Sequence, residues 1–357
     1  MTSTTAATGL RNNELVQIEQ IDPMALDLGT ADVMATIDRA SLTAAGLEVP
    51  PPVGASRLSS LQLGSDSRPV DGLWLATEGG SLVGYACVEL PWRDNTGSAH
   101  LRGVVDPGAR HHGVGRALLG AAMSMSGKAG RSMIYAGAYE GSDGVPALEA
   151  LGFSREGQGV NAVRRVDVHG SPSMRWDELY DEALTRAGEY ALVHQVGPTP
   201  EEMVEDMVSL HDAINDAPLD DPEEEEPAVF DADRIRCYDQ AMAGRSQTLY
   251  RVMARHRSSR EWAGLSLLCV DEHMPRVAFQ EDTSVVRAHR GHRLGLLMKT
   301  DMLRWIQRER PDVAAADTWN ATSNHHMIAV NERLGATVVA RHVGFRLREA
   351  PSSDPSG

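Results

Sequence analysis

Two stretches of this chain leave a strand-like run, pass through nearly the same tight turn and enter an apolar-striped helix. One turn spans Arg110 to Gly115 (RHHGVG) and the other Arg290 to Gly295 (RGHRLG), 180 residues further on. The pairs Leu151-Gly152 and Leu334-Gly335, each placed as a helix stop, repeat at nearly the same offset. A shared order of elements at one fixed offset marks an internal duplication. The length of 357 residues suits two domains of ordinary size, each able to bury its own core.

Local patterns fill in each copy. Leu73–Ala76 and Leu82–Leu90 read as a hairpin around Glu78, Gly79, Gly80 and Ser81, and His100–Val105 as a strand stopped at Pro107. Val114, Ala117, Leu118, Ala121, Ala122 and Met125 recur at helical spacing. A strand over Met133–Tyr139, a helix ending at Leu151 and a closing strand over Ala162–Val168 complete the first half. The second half offers a strand at Tyr190–Val196, helices over Glu201–Ile214 and Ile235–Met242, and a hairpin of Leu249–Ala254 with Trp262–Val270. A strand over Val277–Val286 precedes the second turn. After it come a helix marked by Leu294, Met298, Met302 and Ile306, a strand over Val313–Trp319 and a helix over Asn324–Leu334. The expected division is a first domain over 1–168, a charged helical linker over 169–188 and a second domain over 189–350.

Composition narrows the function. A formal charge of −16, with no basic run, disfavours nucleic acid and anionic lipid as partners. Cys87, Cys237 and Cys269 form no paired motif and read as buried small hydrophobes in a reducing compartment. With no secretory leader and no long apolar run, the expected location is cytoplasmic. His111-His112 and His325-His326 are adjacent rather than four apart, so no metal site is expected.

The turns suggest phosphate chemistry. The first amides of a helix lack intrahelical partners and sit at the positive end of its dipole, so they attract phosphate oxygens. Gly113 and Gly115 clear side chains from that approach, while Arg110 and Arg116 add charge. One charge at a helix end contributes only about 0.3–1 kcal/mol, so several amides must act together. The plainer reading, that the glycines only permit a tight turn, is weakened by the recurrence of the motif between a strand and a striped helix.

VVDPGARHHGVGRALL resembles the acetyl-CoA-binding signature of the GNAT N-acetyltransferases, and SVVRAHRGHRLGLLMK resembles a divergent second copy. The second half, with DTWNATSNHHMIAVNERLGA, is similar in particular to the tandem GNAT proteins of actinobacteria, a group that includes mycothiol-synthase-like enzymes. The resemblance implies an α+β fold of two tandem domains, each a mixed, mostly antiparallel sheet flanked by helices and splayed open midway. It implies acetyl-CoA as cofactor, direct acetyl transfer and a small-molecule amine as partner. Val105, Arg110, His111, Gly113, Val114, Gly115 and Arg116 would surround the cofactor in the first half. Val285, Arg290, Gly291, His292, Arg293, Leu294 and Gly295 would do so in the second, with Asn320, Asn324 and Asn331 as polar contacts to its arm. Two departures stand out. Arg293 replaces the first glycine of the second turn, and the tyrosine with which the family protonates the departing thiolate would fall at Leu148 and Asn331, neither of which can serve.

Amine acetylation calls for a general base. Glu281 and Asp282 precede the second turn on a strand whose alternation sends one of them into the cleft, unless both are ordinary exposed carboxylates. Glu89 and Asp94 are weaker candidates in the first half. The run Asp220, Asp221 and Glu223–Glu226 either attracts a cationic amine or is a solvated loop. The expected activity is acetyl-CoA-dependent N-acetyl transfer with at least one competent domain; the alternative is a non-catalytic acyl-CoA-binding or sensor protein.

Overall fold

A computed structural model describes residues 16–170, 173–216 and 226–348. The acidic residues Asp220, Asp221 and Glu223–Glu225 and the C-terminal PSSDPSG lie outside the described residues.

The chain opens with three elements the sequence pattern passes over: β1 (Gln17–Ile21), α1 (Leu28–Ala44) and α2 (Gly54–Leu63). Asp27 starts α1 by accepting a hydrogen bond from the Thr30 amide at 2.9 Å, a side-chain cap. β2 (Gly72–Glu78) and β3 (Ser81–Glu89) form the expected hairpin, turning through Gly79 and Gly80 with φ of 58° and 78°. β4 (Ser98–Val105), α3 (Val114–Lys128), β5 (Met133–Tyr139), α4 (Gly144–Ala150) and β6 (Ser154–Asp167) follow.

α5 (Ser173–Ala187) and β7 (Tyr190–Val196) begin the second half, followed by α6 (Val204–Asp212), α7 (Ala232–Gly244), β8 (Gln247–His256) and β9 (Trp262–Asp271). The series then repeats as β10 (Val277–Val285), α8 (Leu294–Glu309), β11 (Ala315–Ala321), α9 (His325–Arg333) and β12 (Thr337–Arg348).

All twelve described strands join one sheet in the order β1-β2-β3-β4-β5-β12-β6-β11-β10-β9-β8-β7. The order reads the same from either end once each strand is matched with its copy. The two closing strands are exchanged: β12 lies against β5, with Phe345 opposite Ala136, and β6 lies against β11, with Val163 opposite Trp319. The two also pair with each other. A division at residue 168 therefore does not coincide with a division of the sheet.

The expected linker is also different in kind. Trp176, Leu179, Ala183 and Ala187 of α5 are buried in the core cluster that holds Leu297, Met298 and Ile306 of α8. The Trp176 indole N–H donates to the Leu334 carbonyl at 3.0 Å. α5 is thus a packed helix of the second half, and its charged composition describes only its outer face. Cys87 and Cys269 are buried as expected, but Cys237 on α7 is only half-buried. No described helix is long and apolar enough to cross a membrane, and no described cluster of His, Cys, Asp and Glu is placed to hold a metal.

Candidate active site

Within each half, the sheet forks beside the turn. β4 and β5 run parallel and paired only from Ser98 to His100, and β10 and β11 only from Val277 to Gln280; beyond these points the strands part. The turns at the fork share one backbone shape. His111 and Gly113 have φ of 65° and 86°, and Gly291 and Arg293 have φ of 86° and 58°. Each turn thus has two left-handed positions and one glycine to relieve one of them, in opposite places. Arg293 therefore preserves the turn, at a cost of about 1 kcal/mol for a residue with a Cβ.

The helix starts after both turns suit an anion. Neither α3 nor α8 has a side-chain cap, so the first amides have no side-chain acceptor. A Cβ built on Gly113, Gly291 or Gly295 meets no atom within 4 Å, so the space before these amides is open. The leading arginines are spent on architecture. Arg110 Nε donates to the Val105 carbonyl at 3.2 Å and Arg290 Nε to the Val285 carbonyl at 3.1 Å, tying each turn to its strand end. Arg110 also bonds Asp143 at 2.7 Å and Ser41 at 2.8 Å. Arg293 and Arg333 share Glu182 of α5.

Around the second turn lies a cleft of about 740 Å³. Val285, Arg290, Gly291, Arg293, Leu294 and Gly295 line it, as does Asn324, whose side chain caps α9 by accepting from the Met327 amide at 3.2 Å. His292 instead packs beside the Tyr190 ring, centroid to centroid 5.5 Å. Asn320 and Asn331 do not reach the cleft wall: both are buried, and Asn331 Nδ2 donates to Asn320 Oδ1 at 2.6 Å. The expectation that all three asparagines offer free polar groups is corrected for these two, because pairing is how buried amides stay satisfied. Sequence reasoning missed His289 and Arg333 as lining residues and dismissed His325 and His326 as metal ligands without seeing them at the cleft. Their signal was basic character close to the turn and on α9. No aspartate or glutamate is among the described residues lining the cleft.

The two forks differ at their base. β4 pairs with β3 without interruption, and Arg102 stands opposite Cys87. On β10 the register slips: Gln280 opposes Leu268 and Thr283 opposes Ser266, so Glu281 and Asp282 together oppose Leu267. This is a β-bulge, one extra residue that re-aims side chains. Where the first half has a single arginine, ion-paired to Glu89, the second has two carboxylates. Asp94, the other early candidate, is held by Arg234 at 2.9 Å.

Both bulge carboxylates are exposed at the surface, one of the readings the sequence left open, with protein packed along their inner side. Burial against protein and the neighbouring Asp282 charge push Glu281 up to about 7, partly opposed by Arg245. Burial raises Asp282 as well. The Glu281 charge in turn helps raise Tyr238 of α7 and Cys269 of β9, which places this carboxylate toward the α7 face. A carboxylate poised near 7 can take a proton at neutral pH and give it up to water.

Residues 69–155 match the family model for the acetyltransferase (GNAT) domain. No curated protein matches the sequence. Among solved structures, a tandem GNAT protein from the clavulanic acid biosynthesis pathway is 25% identical, covers 95% of this chain and 100% of its own, and superposes with a TM-score of 0.75. A GCN5-related N-acetyltransferase from Sphaerobacter thermophilus shares the fold at 14% identity, with a TM-score of 0.66 over 93% of this chain and 95% of its own. A putative acetyltransferase from Pyrococcus horikoshii does so at 13% identity, with a TM-score of 0.55 over 98% and 95%.

Proposed function

We propose, from the acetyltransferase (GNAT) domain match over residues 69–155 and the likeness of the whole chain to a tandem GNAT protein, that it transfers an acetyl group from acetyl-CoA directly to the amine of a small molecule, with the chemistry in its second half. The observation that carries this reading is a basic cleft at the start of α8, with no carboxylate among the described residues that line it, and a carboxylate bulge on the strand that leads to it. The open backbone at Gly291 and Gly295, with Arg290 and Arg293 beside it, suits a pyrophosphate, and His289, His325, His326 and Arg333 extend the positive wall. When bound, acetyl-CoA supplies an activated thioester. Glu281 takes the proton of the attacking amine, and Asp282 keeps it from ionising too readily. A base so placed contributes about 100- to 10,000-fold.

The first half keeps the turn, with Gly113, Val114, Gly115 and Arg116 at the start of α3, but has Arg102 at the place of the bulge. We read it as an acyl-CoA-binding domain without chemistry of its own. The test is release of free thiol from acetyl-CoA across a panel of primary amines. Cofactor binding without any amine-dependent release would sink the enzyme reading and leave the binding-protein alternative.

A further inference from the structure

Lys299 of α8 is 4% exposed, and among the described residues it has no hydrogen-bond or ion-pair partner. A lysine so enclosed is costly unless it has a task. It lines a small cavity of about 20 Å³, room for about one water, between α8, α9 and the sheet. Gln280 and Thr318, opposite each other in the last paired position of β10 and β11, form its floor at the base of the fork. Asn331 of α9 borders it too, paired with Asn320 and therefore unable to pass on a proton of its own.

The charged surroundings are sparse. Arg164 of β6 is the other charged side chain in the cavity wall, and no carboxylate lines it. Glu332 of α9 acts on Arg164, and the acids of α8 and α5 are engaged elsewhere: Asp301 with His194, Asp177 with Arg304, and Glu182 with Arg293 and Arg333. Burial alone lowers Lys299 to about 7. Side chains alternate along β10, so Gln280 points toward α8 and Glu281 toward α7. Glu281 and Lys299 thus approach the fork from opposite faces of the sheet.

We propose that Lys299 donates the proton that the departing thiol sulfur needs, across the fork from the base Glu281. The inference rests on the acetyl-transfer reading. The amine nitrogen bonds to the acyl carbon as the carbon–sulfur bond breaks and its electron pair stays on sulfur. Glu281 takes one proton from the amine and Lys299 gives one to sulfur, so the products are an amide and a free thiol. Solvent then returns the proton from Glu281 to Lys299, and the two groups are restored.

The first test needs no acceptor. Coenzyme A bound to the protein is titrated by the ultraviolet absorbance of its thiolate, in the wild type, K299M and K299R. Lys299 has lost its proton where a thiol ionises, whereas the guanidinium of K299R stays charged and favours a thiolate beside it, so the bound thiol should ionise at least tenfold more readily in K299R than in K299M. Equal midpoints in K299R and K299M would overturn the proposal. Methionine removes a buried amine without leaving a hole, so K299M should melt no lower than the wild type, and K299R provides the second reading if it does. In the amine-panel assay, K299M should lose about 100-fold or more of turnover. The wild-type rate should also fall above pH 7, and K299R should lose that alkaline limb. An unchanged K299M profile would remove Lys299 from the reaction. A normal thiol shift with no amine-dependent release in the wild type would instead overturn the acetyl-transfer reading, and the donor role with it.

Discussion

The two halves of this protein match strand for strand, yet they differ by one residue where it matters most. Opposite Cys87 the first half places Arg102; opposite Leu267 the second places Glu281 and Asp282 in a bulge. The family model matches the first half, over residues 69–155, while the carboxylates lie in the second. Duplication lets these features separate, because one copy can change while the other keeps the shared arrangement.

The sharpest way to break this comparison is Glu281→Gln beside Arg102→Gln. The first should lower amine-dependent thiol release by about 100- to 10,000-fold and the second should leave it unchanged. The reverse pattern would move the chemistry to the first half. Next in size is Trp176→Ala, which should cost about 3–5 kcal/mol in thermal or denaturant unfolding, because the indole is buried between α5 and the second half's core. A loss near zero would return α5 to the status of a linker.

The pH dependence is smaller at neutrality but specific. A base must be unprotonated to act, and Glu281 is raised to about 7, so turnover should rise toward pH 7 from the acid side and fall about tenfold per unit below it. An acid limb near the ordinary carboxylate range would exclude Glu281 as the base. Smallest is the exchange of turn residues. Gly113→Val should remove one of two coenzyme A sites in calorimetry without loss of turnover. Arg293→Gly should change affinity in the second half by no more than about 1 kcal/mol, the worth of one charge at a helix end, while relief of the left-handed arginine raises stability.

Much of the architecture was legible in the sequence. The hairpin at Gly79-Gly80, the strand over Met133–Tyr139 and the two turns follow from local chemistry and fall where the pattern puts them. α1 and α2 were not legible, because their buried faces are built from small and scattered apolar residues such as Ala31, Met34 and Ala35. α5 was misread because its outer face is dense in charge while Trp176 and Ala183 do the packing. Asn320 and Asn331 looked like ligands because sequence gives a residue's chemistry without its partner. Lys299 drew no notice, since a lysine within a helix is ordinarily at the surface.

What the sequence determined by itself is the repeat: two copies of one order of strands and helices, each with a turn whose glycines, arginines and apolar stripe act over a few neighbouring residues. Only the tertiary structure decided which strand closes which half, where β10 slips its register and which groups face each other across the fork. β6 and β12 have the same local preferences, so their exchange depends on contacts between distant parts of the chain. The bulge likewise exists only relative to β9, and a stretch reading Gln-Glu-Asp-Thr has no feature of its own to announce it.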